Sequence, residues 1–279
     1  MERKIFEGHA DHHEPFLTNT EILPFLRNFV DNSTLDREII TEYSYEGHDP
    51  FETTVYCLKY TPKGNGQEIP YRALIVSIKE LGKNELITFY PYLEGITTMV
   101  KVVEVLEWKD KLQATVKAQY EMNSSRFDFY FFATDYFANK DKYREGNVIE
   151  IGLAASGNVK IAPTGFDYEG QMAIDFLSMM GKNPTYDQNG NVEPVHISLE
   201  NLVAFLPTNS EMPDTAEFQS PVTKIEEKYE AMGNPIRTGE IILDQDTEIK
   251  ALIYFNSNCN PKEGEGITGN IWLSGHLKS

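Results

Sequence analysis

The 279-residue sequence has only two cysteines, Cys57 and Cys259, far apart and in no metal-binding spacing. That scarcity excludes a disulfide-stapled scaffold and a CxxC zinc site, and it agrees with a reducing compartment. Basic residues are also few, 25 Lys plus Arg against 43 Asp plus Glu, for a net charge of −18. A field of that sign repels phosphate backbones and favours either simple solubility or a partner with a basic face. No apolar window approaches the roughly 18 residues of a membrane span, and the opening residues carry no run of signal length, so the expected location is cytoplasmic with no membrane partner. There is no GxSxG, CxxC or Walker sequence.

What the sequence does contain is 41% hydrophobic and 12% aromatic residues, enough for sizeable cores in a chain of two or three domains. The stretch from Val102 to Ala155 lies on Val222 to Gly275 at a constant offset of 120, with Val102/Val222, Glu107/Glu227, Lys142/Lys262, Glu145/Glu265, Gly146/Gly266, Ile151/Ile271 and Leu153/Leu273 identical. In the first copy Leu112, Ala114, Val116, Ala118 and Tyr120 alternate with polar residues, and Phe127, Phe129, Phe131 and Ala133 follow. Period two over that length predicts a half-buried sheet. Ile249, Ala251, Ile253 and Phe255 repeat the pattern in the second copy, whereas its preceding strand, near Ile236, is faint.

Three strands, a short helix or loop, and a returning strand led in by Gly resemble the order of a small Greek-key barrel of the OB type. The resemblance is to a fold pattern. It implies a mainly β chain with two tandem OB-like barrels after an α+β N-terminal part. The expected divisions are an α+β unit at 1–98, a first barrel at 99–155, an acidic helical connector at 156–221 and a second barrel at 222–279.

In the N-terminal unit, Ile22, Phe25, Leu26 and Phe29 have helical spacing, with Pro24 tolerable near the first turn. The runs 53–60 and 71–78 read as strands with both faces covered. In the connector, Met172, Ile174, Phe176, Leu177, Met179 and Met180 predict a buried helix closed by Gly181, and Ser198 is placed to cap a second short helix. Residues 156–221 hold two lysines against nine carboxylates, the most acidic part of the chain.

Several motifs offer chemistry. His9, Asp11, His12 and His13 suit a transition metal by ligand type, but lack the glutamate of HExxH, and a metal-dependent hydrolase is the reading they would support. Gly264-x-Gly266-x-x-Gly269 matches a dinucleotide fingerprint in form only, because it leads into a strand rather than a helix. Asp187-x-Asn189-Gly190 places its Gly too early for a calcium loop and reads as a turn. If Phe127, Phe129 and Phe131 face inward, then Arg126, Tyr130 and Phe132 face outward beside Lys117 and Gln119. Cations beside aromatic rings on strands two and three are how OB folds hold single-stranded nucleic acid. The first copy, with seven basic and nine acidic residues, is the least repulsive part of the chain for such a ligand.

The favoured reading is a non-enzymatic binding or interaction protein without a cofactor, whose partner is a protein with a basic face. Single-strand binding through Lys117, Gln119, Arg126, Tyr130 and Phe132 is the first alternative, and the histidine-based hydrolase the second.

Overall fold

The computed structural model describes residues 4–6, 16, 22–44, 49–62, 67–78, 82–208, 211–231 and 233–278. The chain is mainly β, with strands throughout and three helices among the described residues.

Strand β1 (Lys4–Phe6) precedes helix α1 (Ile22–Asn32). Pro24 sits in the first turn of α1, where its missing N–H leaves no bond unmade. Phe25 and Phe29 point from one side of the helix into an aromatic cluster with Tyr60 and Tyr71. Strands β2 (Thr34–Tyr43), β3 (Phe51–Tyr60), β5 (Tyr71–Ile78) and β6 (Lys83–Pro91) form an antiparallel sheet in that order, while the short β4 (Gln67–Glu68) pairs elsewhere. One face of this sheet buries Val55, Cys57, Leu74, Val76 and Ile78 against Leu112 and Phe137. The other buries Tyr60, Tyr71 and Ala73 beneath α1 and against Tyr229, Ile236 and Tyr254.

Next come β7 (Ile96–Trp108), β8 (Ala114–Met122), β9 (Ser125–Ala133), the one-turn helix α2 (Tyr136–Asn139) and β10 (Val148–Ile161). An excursion follows, built of β11 (Gly165–Tyr168), helix α3 (Gly170–Met179), β12 (Val195–Ser198) and β13 (Ala204–Pro207). The chain then returns as β14 (Thr215–Ala231), β15 (Asn234–Ile242), β16 (Lys250–Asn256) and β17 (Gly266–Leu277).

The pairings of these strands close two circuits. The first runs β7, β8, β9, β17, β10 and back to β7; the second runs β14, β15, β16, β10, β17 and back to β14. Both pass through β10 and β17, which pair antiparallel over eleven positions from Ile151↔Leu277 to Ile161↔Ile267. Each circuit is completed by a short parallel step, Phe132↔Ser274 and Ala133↔Gly275 in the first, Leu252↔Ala154 and Ile253↔Ala155 in the second. These four pairs are related by the same 120-residue offset read from the sequence.

A matching device closes the other side. Gly146, at positive φ, donates its N–H to the Val102 carbonyl at 2.8 Å, and Gly264, also at positive φ, donates to the Val222 carbonyl at 2.7 Å. The structural counterpart of Gly146 is therefore Gly264, and the sequence identity Gly146/Gly266 is two residues out of step. A left-handed conformation at this turn is one that glycine adopts without steric cost.

The alternating residues of both copies meet in one core, in which Val116, Phe129, Phe131 and Leu153 lie with Ala251, Ile253, Phe255 and Leu273. The expected divisions at 98/99, 155/156 and 221/222 fall inside β7, β10 and β14. Two expectations for the excursion are corrected. Only Ala173 of α3 is buried, so the predicted buried helix instead exposes its methionines. Ser198 caps no helix: its Oγ accepts the Glu200 N–H in a turn that leads into β13.

Gly264-x-Gly266-x-x-Gly269 leads into β17, as the sequence reading of a strand requires. A Cβ at Gly269 would overlap the Asn158 carbonyl, and one at Gly157 the Asn270 carbonyl. These two glycines let β10 and β17 approach backbone to backbone on either side of the Asn158↔Asn270 pair.

Candidate functional site

The pleat of β8 and β9 puts the five residues singled out from the sequence on one face, with Lys117 opposite Tyr130, Gln119 opposite Asp128 and Thr115 opposite Phe132. Asp128 draws most of this face to itself. Its carboxylate lies 3.7 Å from Lys117 Nζ and 3.2 Å from Arg126 Nε, and accepts a 3.1 Å hydrogen bond from Gln119 Nε2. The Tyr130 hydroxyl donates to Glu104 Oε2 at 3.4 Å.

Phe132 departs from the expectation of a ring open for stacking. It is 1% exposed, packed between Tyr90, Trp108 and Trp272 at centroid distances of 5.3, 5.3 and 5.5 Å. It does point away from the first circuit's core, as the pleat demands, but β6 closes over it. The polar tips around it are satisfied: Tyr90 donates to the Thr134 carbonyl at 2.7 Å and Trp272 Nε1 to Asp214 at 3.0 Å. In the second copy Lys250 replaces Tyr130 and lies 3.6 Å from Glu240.

The proposed metal ligands His9, Asp11, His12 and His13 lie outside the described residues. Among the described residues no three His, Cys, Asp or Glu side chains are grouped to hold a metal ion, and no helix is long and apolar enough to cross a membrane.

The excursion between β10 and β13 is a second candidate. Among the described residues, strands β11 and β12 pair only with each other, from Gly165↔Ser198 to Tyr168↔Val195, forming an arm off the main sheet. Helix α3 is ended by Gly181 at positive φ, whose N–H bonds the Ser178 carbonyl while that of Lys182 bonds Leu177. Tyr168 touches Phe176 at 5.0 Å, and His196 Nδ1 lies 2.8 Å from Asp167. At the tip, the Asp187 carboxylate accepts the Asn191 N–H at 2.8 Å, the Asn191 side-chain amide at 3.1 Å and the Asn189 N–H at 2.8 Å, which lowers its pKa and fixes the predicted turn. Outside this frame, Phe166, Met172, Met179, Met180, Leu202 and Leu206 are exposed. From residue 161 to 208 the arm carries six carboxylates and one lysine.

A third place was invisible to motif reading. A polar cleft of about 360 Å³ opens where β2, β5, the chain after β6, the α2 segment and the end of β17 converge. Arg72 lies over the Tyr92 ring, 3.6 Å from its centroid, and its Nη2 is 3.0 Å from Asp36 Oδ2. Asp135 accepts hydrogen bonds from the Tyr143 hydroxyl at 2.5 Å, Asn139 Nδ2 at 2.7 Å and the Leu277 N–H at 3.2 Å. Burial pushes the Asp135 carboxyl up against those bonds. Beside the cleft, the His276 ring lies tilted against Tyr92, 4.9 Å between centroids, and burial, then the Lys278 and Arg72 charges, depress its pKa to about 4. The Cys57 thiol, 3.9 Å from Asp36, is pushed up to about 12 by burial. Six separated segments supply these groups, so no local spacing could have announced them.

No family model, no curated protein and no solved structure matches the chain.

Proposed function

We propose that this chain is a non-enzymatic interaction protein, in which two interlocked OB-like barrels carry the 161–208 arm toward a protein partner with a basic face. The barrel reading is supported by the two closed pairing circuits. In each, the three-strand meander is joined by its own returning strand and, in parallel, by the returning strand of the other copy. The order of each circuit is that of an OB barrel whose fifth strand is exchanged.

The observation that carries the functional reading is the arm's combination of exposed thioethers and aromatics with a one-sided charge. Methionine adapts its shape to different apolar partners. Burying one such side chain contributes about 1.5 to 3 kcal/mol, while carboxylates around it steer an approaching cationic surface and repel an anionic one. The chain's net charge of −18 favours the same partner and disfavours a second copy of itself.

The test is a fluorescence anisotropy titration with a labelled amphipathic peptide of lysine and leucine, against its glutamate counterpart. At about 50 mM salt the basic peptide binds and the acidic one does not, and about 0.5 M salt weakens the complex severalfold through screening. The paired substitution Met179→Glu and Met180→Glu abolishes binding, while Lys117→Ala leaves it unchanged. Equal binding by a chain whose 166–197 segment is replaced by a short Gly-Ser turn would sink this reading.

The single-strand alternative loses one of its two rings to the burial of Phe132, and Asp128 competes for its cations. It is therefore the second reading, and binding of a labelled single strand that is lost on Tyr130→Ala would restore it.

A further inference from the structure

We propose that the cleft between the N-terminal sheet and the end of β17 is a binding site for a small oxyanion-bearing molecule, a phosphate or a compact polycarboxylate. The cleft has a sign opposite to that of the chain. Four cations line it, Arg37, Arg72, Lys142 and Lys278, against two carboxylates, Asp36 and Asp135.

Both carboxylates are already engaged. Asp36 is held by the Arg72 guanidinium, and Asp135 receives three donors that tie the α2 segment to β17. Among the described residues, no carboxylate lies within ion-pair distance of Arg37, Lys142 or Lys278. The surplus of positive charge therefore faces the opening, and beside it burial, then the Lys278 and Arg72 charges, depress the pKa of the His276 imidazole.

Two of the cations, Arg72 and Lys278, are also held in place. Arg72 is clamped between the Tyr92 ring and Asp36, with its side chain 16% exposed, which pre-orders a planar donor suited to carboxylate or phosphate. The Lys278 stem crosses Gly152 so closely that a Cβ there would come within 2.7 Å of Lys278 Cε and 2.9 Å of His276 Cε1. Glycine at 152 thus leaves room for Lys278 to lie along β10, and the Lys278 N–H is fixed on the Glu150 carbonyl at 3.0 Å. A volume of about 360 Å³ is at the small end of ligand cavities. It is the size of a small molecule.

The experiment is isothermal titration calorimetry of the intact chain at low ionic strength, with inorganic phosphate in one arm and citrate in the other. At least one of them binds at a single site, and the double variant Lys142→Gln with Lys278→Gln weakens it at least tenfold with an unchanged melting temperature. Gly152→Ala, which displaces Lys278 without removing a charge, weakens it less. Saturation by phosphate alone assigns a phosphorylated ligand, and by citrate alone a polycarboxylate. Absence of heat with both anions at about 10 mM, or affinity unaltered in the double variant, overturns the proposal. The chain with the arm replaced retains this site, so failure here and failure of the interaction reading are separate results.

Discussion

The two shared strands and the arm strung between them are made from similar residues and end in opposite situations. Leu153, Ala155, Ile271 and Leu273 on β10 and β17 are fully or almost fully buried, while Met172, Met179, Met180 and Leu206 stand in solvent. Apolar content does not separate the two regions. The difference lies in pairing: each shared strand has neighbours on both edges from two circuits, whereas among the described residues β11 and β12 have only each other. A two-stranded ribbon with one helix offers too little surface to enclose its own apolar side chains.

The comparison breaks most sharply at the closest approach of the shared strands. Gly157→Ala and Gly269→Ala each drive a Cβ into the opposing backbone. Each is expected to cost about 4 kcal/mol or more, read as loss of the cooperative urea transition. Next in size is Phe131→Ala in the common core, expected to cost about 3 to 5 kcal/mol, set beside Met179→Ala on the arm, expected to cost less than about 0.5.

The end of β17 gives a pH-dependent test. His276 faces Tyr92, Arg72 and Lys278, and its folded-state pKa of about 4 lies below its ordinary 6.5, so the folded chain holds fewer protons there. Its contribution is fully present above pH 6.5 and is lost as pH falls toward 4, by up to about 3 kcal/mol. Urea midpoints of wild type and His276→Gln compared at pH 7 and 4.5 isolate this term, because the buried carboxyls are common to both chains. A wild-type stability that falls no faster than the variant's contradicts the assignment. A small effect is also expected from replacing 166–197 by a Gly-Ser turn between Gly165 and Ser198, which are register partners. A stability change under about 1 kcal/mol sharpens the contrast, and a larger one shows that the arm braces the main sheet.

Much of the sheet was legible because period two is written locally. The alternation through Val116 and Phe131, and again through Ala251 and Ile253, marks the buried face without reference to anything distant. The offset of 120 also reappears in the parallel steps that complete the circuits. Which strand completes which circuit was not legible, since the step from Phe132 to Ser274 spans most of the second copy. The misreading of α3 has a related cause: an apolar helix face calls for cover, but its sequence does not say whether the cover comes from the same chain. Phe132 was placed on the correct side of its strand, and its burial depended on Tyr90, which arrives from a different sheet. The cleft was illegible for the same reason, because Asp36, Arg72, Asp135 and Lys278 become neighbours only when the N-terminal sheet meets the end of β17.

The two parallel steps tie each circuit to a strand from the far end of the other copy. Strand β9 ends at Ala133 and must wait for a parallel neighbour that begins at Gly266. During synthesis the first circuit therefore stands open along one edge until nearly all of the second has emerged. Neither half holds every strand of its own circuit, so neither closes when cut out alone.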